Sequence, residues 1–262
     1  MMQCPDIIKM LEELAPLEAA APWDNSGMQV IGNRQEVSCL AVALDPSPAN
    51  IDKALSLGAD FILSHHPLLF EPAYLNQDNA YIRIVRKLMQ TGVHLYSAHT
   101  SLDGEPKGPV RWLADELRLS DLKMLEPHPA HTVNSLYGFG FCGILAPKQS
   151  FADFLKTLSA CLPANRFNVC GSAPETVCRV ACCPGSGSGM WLAAKALEAD
   201  VLITGDVKYH TALDSEVCIL DVGHFSLEQE MMRRFAKLLE QKLAGVKVIF
   251  IDACDPIQPY II

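Results

Sequence analysis

The sequence predicts an α/β protein built as two related lobes with mostly parallel sheets and a metal cleft between them. Three observations carry this. The chain has 262 residues, half of them apolar, enough to fill one large core or two small ones. Short apolar runs alternate with helical periods, the pattern of βαβ units. The alternation runs twice, and the second series repeats short motifs of the first.

In the first series, strands are expected at 39–44, 60–63 and 93–97. Helices are expected at 47–57, 80–90 and about 110–117, after an amphipathic helix that starts within the first ten residues. In the second series, strands fall at 135–145, 176–183, 201–204, 217–221 and 246–251, and helices at 151–161, 190–198 and 227–243. The lobes divide at 130/131, with the last helix and strand expected to pack back on the first lobe. Leu57-Gly58-Ala59-Asp60-Phe61-Ile62-Leu63-Ser64 can be laid on Leu197-Glu198-Ala199-Asp200-Val201-Leu202-Ile203-Thr204. Likewise His99-Thr100-Ser101-Leu102-Asp103 can be laid on His224-Phe225-Ser226-Leu227-Glu228. This reads as a divergent internal duplication, two halves rather than a solenoid.

Composition excludes several classes. A net charge of −9 argues against a nucleic-acid partner, which needs a basic surface. No apolar run is long enough to span a membrane, and the chain opens without a basic-then-apolar leader, so a cytoplasmic protein is expected. The ten cysteines are scattered, mostly in strand-like runs (Cys39, Cys142, Cys178, Cys182, Cys183, Cys218), and read as reduced core thiols. Adjacent Cys182 and Cys183 would face opposite sides of a strand.

Ligand sites in open parallel sheets gather beyond the carboxyl ends of the strands. The polar residues there are His65, His66, His99 and Asp103 in the first half, and Asp206, His210, His224 and Glu228 in the second. Two adjacent histidines inside a strand would point apart, but just past its end, before Pro67, both rings can converge. His224 and Glu228 are spaced i,i+4 and share a helix face. The three imidazoles of His65, His66 and His224, with the carboxylates of Asp103 and Glu228, are too many for one tetrahedral site. With one carboxylate bridging, each of two ions receives about three protein ligands and keeps positions open for water. Nitrogen and oxygen donors without thiolate fit two divalent ions among Zn, Mn, Fe, Co and Ni. The net positive charge favours an anionic small-molecule substrate. His99 and Asp206 are expected behind the ligands, where Asp206 would orient an imidazole. Lys208 and His210 are the candidates for substrate charge and proton transfer. Gly185, Ser186, Gly187 and Gly189, in a Gly-Ser run between a strand and a helix, are candidates for an anion-binding nest. The run lacks the dinucleotide and P-loop patterns. His128 and His131 read as connector residues. Trp23-Asp24-Asn25-Ser26-Gly27 reads as an Asx-type turn beside a large aromatic.

Taken together, Trp-Asp-Asn-Ser-Gly at 23–27, Ser-His-His-Pro at 64–67, His-Thr-Ser-Leu-Asp at 99–103, Thr-Gly-Asp-Val-Lys-Tyr-His at 204–210 and Gly-His-Phe-Ser-Leu-Glu at 223–228 resemble the Nif-three-like family. Its members are also called GTP cyclohydrolase I type 2 homologs. Five motifs in the same order cover essentially the whole chain, in the family's short form. The resemblance implies a two-lobed α/β fold with a dinuclear metal centre, assembled as a toroidal homohexamer. Carried over by motif, the ligands are His65, His66, Asp103, His224 and Glu228, with Glu228 as the bridge. The chain departs from the family pattern at Ser101, where asparagine is usual, and at Phe225-Ser226-Leu227. Neither departure touches a ligand, and both bear on substrate choice.

Three functions follow as expectations. The first is a metal-dependent hydrolase acting on a nucleotide or another phosphorylated, ring-bearing metabolite. For GTP this means attack on the imidazole carbon, ring opening and formate release. The second is a dinuclear phosphoesterase, and the third a metal-binding adaptor or metal-handling protein without turnover.

Overall fold

Cys-Leu-Ala-Val-Ala at 39–43 is buried at every position, as a strand covered on both faces must be. In the computed structural model, which describes residues 1–130, 136–162 and 167–258, it is the second strand of a five-stranded sheet. The order is Lys247–Phe250, Cys39–Ala43, Phe61–Ser64, His94–Ser97, Gly27–Val30, parallel except for the last strand. Each crossover carries a helix with a legible start. Ser47 accepts a hydrogen bond from Asn50 N at the head of Pro48–Ser56, and Asn79 accepts one from Ile82 N at the head of Ala80–Thr91. Gly92, at φ +70°, closes the second of these helices in the left-handed region. Ile51, Ala54, Ile84 and Leu88 pack with Ala41, Ile62 and Leu95 into one core.

The second sheet has six strands, in the order Ser120–Pro127, Gly138–Ser150, Thr176–Cys182, Val201–Thr204, Cys218–Asp221, Asn168–Cys170. Only its central three strands are parallel to one another. The flanking strands pair antiparallel, so this sheet is mixed rather than mostly parallel. Ser120–Pro127 and Gly138–Ser150 run antiparallel because the short connection between them leaves no room for a crossover helix. Ser150 caps the helix Phe151–Cys161 through Asp153 N. Among the described residues, no helix is long and apolar enough to cross a membrane. His131 and Ser135, the latter the expected start of a strand, lie outside the described residues.

The chain forms two compact units: Met1–Leu102 with Met232–Ile262, and Asp103–Met231. The change of unit thus falls ahead of the 130/131 boundary expected from sequence. The reason is pairing, since Ser120–Pro127 lies in the second sheet. The last strand pairs with Cys39–Ala43 of the first. None of the ten cysteines is in a disulfide. Cys178 is exposed rather than in the core, on the open face of its strand, while Cys182 and Cys183 are both buried.

The two sequence repeats share a local architecture. Gly58 (φ +83°) and Glu198 (φ +56°) both sit in the left-handed region after a helix. Ala59 N bonds Ala54 O at 3.1 Å and Ala199 N bonds Ala194 O at 2.9 Å. Asp60 N and Asp200 N then return to Cys39 O and Arg179 O. Each carboxylate holds two amides of the strand before it: Asp60 Oδ2 accepts from Ser38 and Cys39 at the strand's start, and Asp200 Oδ2 from Cys178 and Arg179 at a register shift within it. Glycine suits this left-handed position, whereas glutamate is strained there. Glu198→Gly is therefore expected to stabilise the protein by about 0.5–1 kcal/mol in urea unfolding, the strain relief exceeding glycine's entropy cost. The exposed Arg179–Glu198 pair at 3.6 Å offsets little of this.

Candidate metal centre

In the first unit, three imidazoles converge beyond the carboxyl ends of adjacent strands. His65 and His66 follow Phe61–Ser64, and their amides stay bonded to the neighbouring strand's end, at Ala43 O and Leu44 O. Ser97 Oγ donates to His65 O at 2.6 Å and Ser64 Oγ to His66 O at 2.8 Å, fixing this backbone from behind. The two rings end 5.1 Å apart. His99 follows His94–Ser97 and lies 5.1 Å from the His65 ring and 5.5 Å from that of His66. Ligand atoms of the three lie within 4.8 Å of one another, a spacing that could hold a metal ion. Sequence placed His99 behind the ligands. In the structure its ring groups with those of His65 and His66, and a deeper residue stands behind it.

That residue is Asp24, whose side chain is fully buried. Its Oδ1 lies 2.7 Å from His99 Nδ1, and its Oδ2 accepts from Ser26 Oγ, Thr100 Oγ1 and Thr100 N. Burial pulls its pKa upward, but the hydrogen bonds and charge of His99, with those from Ser26 and Thr100, outweigh it. The carboxyl is held well below the usual range and stays ionised.

In the second unit, His224 and Glu228 open the helix His224–Lys242, with His224 Nε2 2.8 Å from Glu228 Oε2. Asp206 Oδ2 sits 2.7 Å from His224 Nδ1 and also accepts from Ser186 Oγ at 2.8 Å. Partial burial raises the pKa of Asp206, but these bonds lower it further, so the net direction is down. Asp103 ends the helix Thr100–Asp103. Burial pushes the Cys183 thiol well up, helped by Cys182 and by the nearby carboxylates of Asp103 and Glu228.

Four histidines share one arrangement. Nδ1 of His65, His66, His99 and His224 faces an oxygen: Ala98 O at 2.8 Å, then Asp45 Oδ1, Asp24 Oδ1 and Asp206 Oδ2, each at 2.7 Å. At His65, His66 and His99 an Nδ1 that donates to oxygen leaves the lone pair on Nε2, the tautomer a metal-binding imidazole uses, whereas both nitrogens of His224 face carboxylates. Asp24 and Asp45 were missed as partners. The only sequence signal was the Asx turn at Asp24, and nothing in it points to a histidine so far along the chain.

Gly185 is shaped to this group. At φ +65°, a Cβ built there would lie 2.4 Å from Glu228 Oε1 and 3.6 Å from His224 Cε1. Of the Gly-Ser run, the candidate anion cradle, the first two residues meet carboxylates. Gly185 abuts Glu228, the Ser186 hydroxyl is given to Asp206, and Gly187 packs on Cys183 and Thr204. Only the Gly189 position borders open space within this run. Gly185→Val should displace the Glu228 carboxylate and lower metal content measured by elemental analysis, with the fold retained by circular dichroism. Lys208 and His210 are exposed at the start of the helix Tyr209–Asp214, where His210 stands edge-on to Tyr209 at 5.4 Å. His128 is buried and accepts from Ala130 N.

A family model described as Duf34/NIF3 (NGG1p interacting factor 3) matches residues 2–256. A Clostridium perfringens protein named GTP cyclohydrolase 1 type 2 homolog is 30% identical, over 98% of this chain and 99% of its own length. A Methanocaldococcus jannaschii protein of the same name is 32% identical, over 96% and 100%. Among solved structures, the Staphylococcus aureus hypothetical protein SA1388 superposes with a TM-score of 0.87 at 26% identity, covering 99% of both chains. Reduced HcgD from Methanocaldococcus jannaschii superposes at 0.83 with 29% identity, covering 96% of this chain and 98% of that one. Matched from its second residue nearly to its end, the chain belongs to the Duf34/NIF3 (NGG1p interacting factor 3) family.

Proposed function

We propose that His65, His66, Asp103, His224 and Glu228 hold two divalent metal ions, with His99 as a further ligand, and that the protein is a hydrolase of a nucleotide or similar phosphorylated, ring-bearing metabolite. The observation that carries the metal reading is the fourfold one: four imidazoles, each with Nδ1 held by an oxygen. One orienting acceptor is common in any protein, but four around two small clusters match how metal-binding histidines are supported. With the neighbouring carboxylates these imidazoles make a nitrogen and oxygen donor set suited to Zn, Mn, Fe, Co or Ni. The names of the relatives support the hydrolase reading.

Two bound divalent ions would lower the pKa of water toward neutrality and offset the charge of an anionic substrate. The rest falls to side chains. Asp45, Asp24 and Asp206 hold their imidazoles in one tautomer and orientation. Glu228, buried against Gly185, would be the ligand shared by the two ions. Lys208 binds the substrate anion, and His210 passes a proton to the departing group.

The test is a screen of metal-reconstituted protein against nucleotides and phosphorylated metabolites, with His224→Ala as the blank. Formate released from GTP supports ring opening, and phosphate release supports an esterase instead. Lys208→Ala and His210→Ala should keep their metal and lose activity. Absence of any product would leave a metal-binding protein without turnover. The family resemblance also supports a homohexamer, and a monomer by light scattering at micromolar concentration would refute that.

A further inference from the structure

Two large aromatic side chains stand exposed beside the histidine cluster of the first unit. Trp23 is 65% exposed and Phe70 54%. Large apolar rings in water are unfavourable unless something covers them, and a pair of them at a polar cluster marks a binding surface rather than ordinary scatter. Both rings meet the same imidazole: Trp23 lies 6.0 Å from His99, edge-on at 70°, and Phe70 lies 5.6 Å away at 64°. Their own centroids are 6.2 Å apart, tilted at 48°.

The pair is fixed from beneath. Trp23 precedes buried Asp24, which is anchored to His99, Ser26 and Thr100. Asn25 Nδ2 donates to Leu69 O at 2.7 Å, tying the Trp23 turn to the segment that carries Phe70. Gln29 Oε1 accepts from Leu68 N at 3.1 Å, and Gln29 Nε2 donates to Asn25 O at 2.6 Å, making a second tie. Polar bonds thus hold two rings at the surface that could otherwise fold onto the core.

We propose that Trp23 and Phe70 form a two-faced platform that stacks a planar heteroaromatic ring of the substrate beside His99. The spacing decides the mode. A ring sandwiched between two others needs two contact distances, about 7 Å in all, more than the separation here. The substrate ring therefore lies on an outer face of the corner instead of between its walls. A planar ring is favoured over an aliphatic group because stacking on flat, exposed aromatic faces rewards it and tolerates any base. The inference rests on the hydrolase reading for the identity of the molecule as substrate, but the platform itself does not depend on turnover.

The test uses metal-loaded protein titrated by calorimetry with GTP, ATP and inorganic tripolyphosphate. The nucleotides should bind at least about tenfold more tightly than tripolyphosphate, the effect of one stacked base. Their binding should also quench Trp23 fluorescence in a Trp112→Phe, Trp191→Phe background. Trp23→Ala and Phe70→Ala should each abolish most of that advantage while tripolyphosphate affinity and metal content stay at the wild-type level. Trp23→Phe should restore it, which a merely structural role would not explain. Nucleotides binding no better than tripolyphosphate, no binding by any nucleotide, or equal loss of nucleotide and tripolyphosphate affinity in the alanine variants would overturn the platform. If nucleotides quench Trp23 but metal-loaded protein releases no product from any of them, the platform stands while the hydrolase reading fails. Tripolyphosphate binding that depends on metal, with no nucleotide advantage, means the reverse.

Discussion

Glu228→Ala should strip the protein of metal at both positions, lowering apparent affinity more than about 100-fold. Loss of a hydrogen-bonding partner behind a ligand costs about 10–100-fold, and a shared ligand serves two ions at once. Asp206→Ala supplies that comparison, because Asp206 touches His224 through Nδ1 at 2.7 Å and acts through it. The gap between the two variants is the readout. Equal, modest losses would mean that Glu228 serves one ion or none. Misfolding is not the expected cause, since the carboxylate packs on Gly185 and His224 and the long helix behind it is held by buried Leu227, Met231 and Phe235.

Asp60→Ala should destabilise the fold by about 1–3 kcal/mol in denaturant unfolding. Its side chain accepts from Ser38 N, Ser38 Oγ and Cys39 N and pairs with Arg34 at 3.2 Å. The buried Cys39 amide left without an acceptor costs about 1–3 kcal/mol, while the exposed Ser38 groups can turn to water and the half-exposed arginine contributes little. The effect should depend on pH. Burial raises the Asp60 pKa, but bonds from Ser38 and Cys39 and the charge of Arg34 outweigh it, so the folded value lies below the ordinary one. A depressed folded pKa stabilises fully above the unfolded value, about 3.9, and the contribution fades as pH falls through the lower folded value. The stability gap between wild type and Asp60→Ala should therefore hold at pH 6–7 and narrow below about pH 4.

Much of the fold was legible because burial and period coincide. Phe151–Cys161 is a helix at the predicted residues, and Phe61–Ser64 and Val201–Thr204 are strands buried at every position, within a residue of prediction. The repeat at 57–64 and 197–204 was readable because the same turn needs the same alanine and aspartate. Elements that bury little left no pattern. Ser120–Pro127 is an edge strand with Leu125 alone fully buried, and Tyr209–Asp214 buries nothing. Gly27–Val30 joins its sheet through a pairing with His94–Ser97 far along the chain. In the site, the histidines and carboxylates were readable at strand ends and helix starts. Asp24 and Asp45 were not, because the contacts that make them matter span 75 and 21 residues.

Elemental analysis of protein saturated with Mn, Fe or Zn and freed of excess ion bears most directly on the proposed centre. The arrangement of imidazoles and carboxylates predicts two ions per chain in the intact protein and fewer than one in His224→Ala. One ion per chain, or metal content unchanged by His224→Ala, would contradict it.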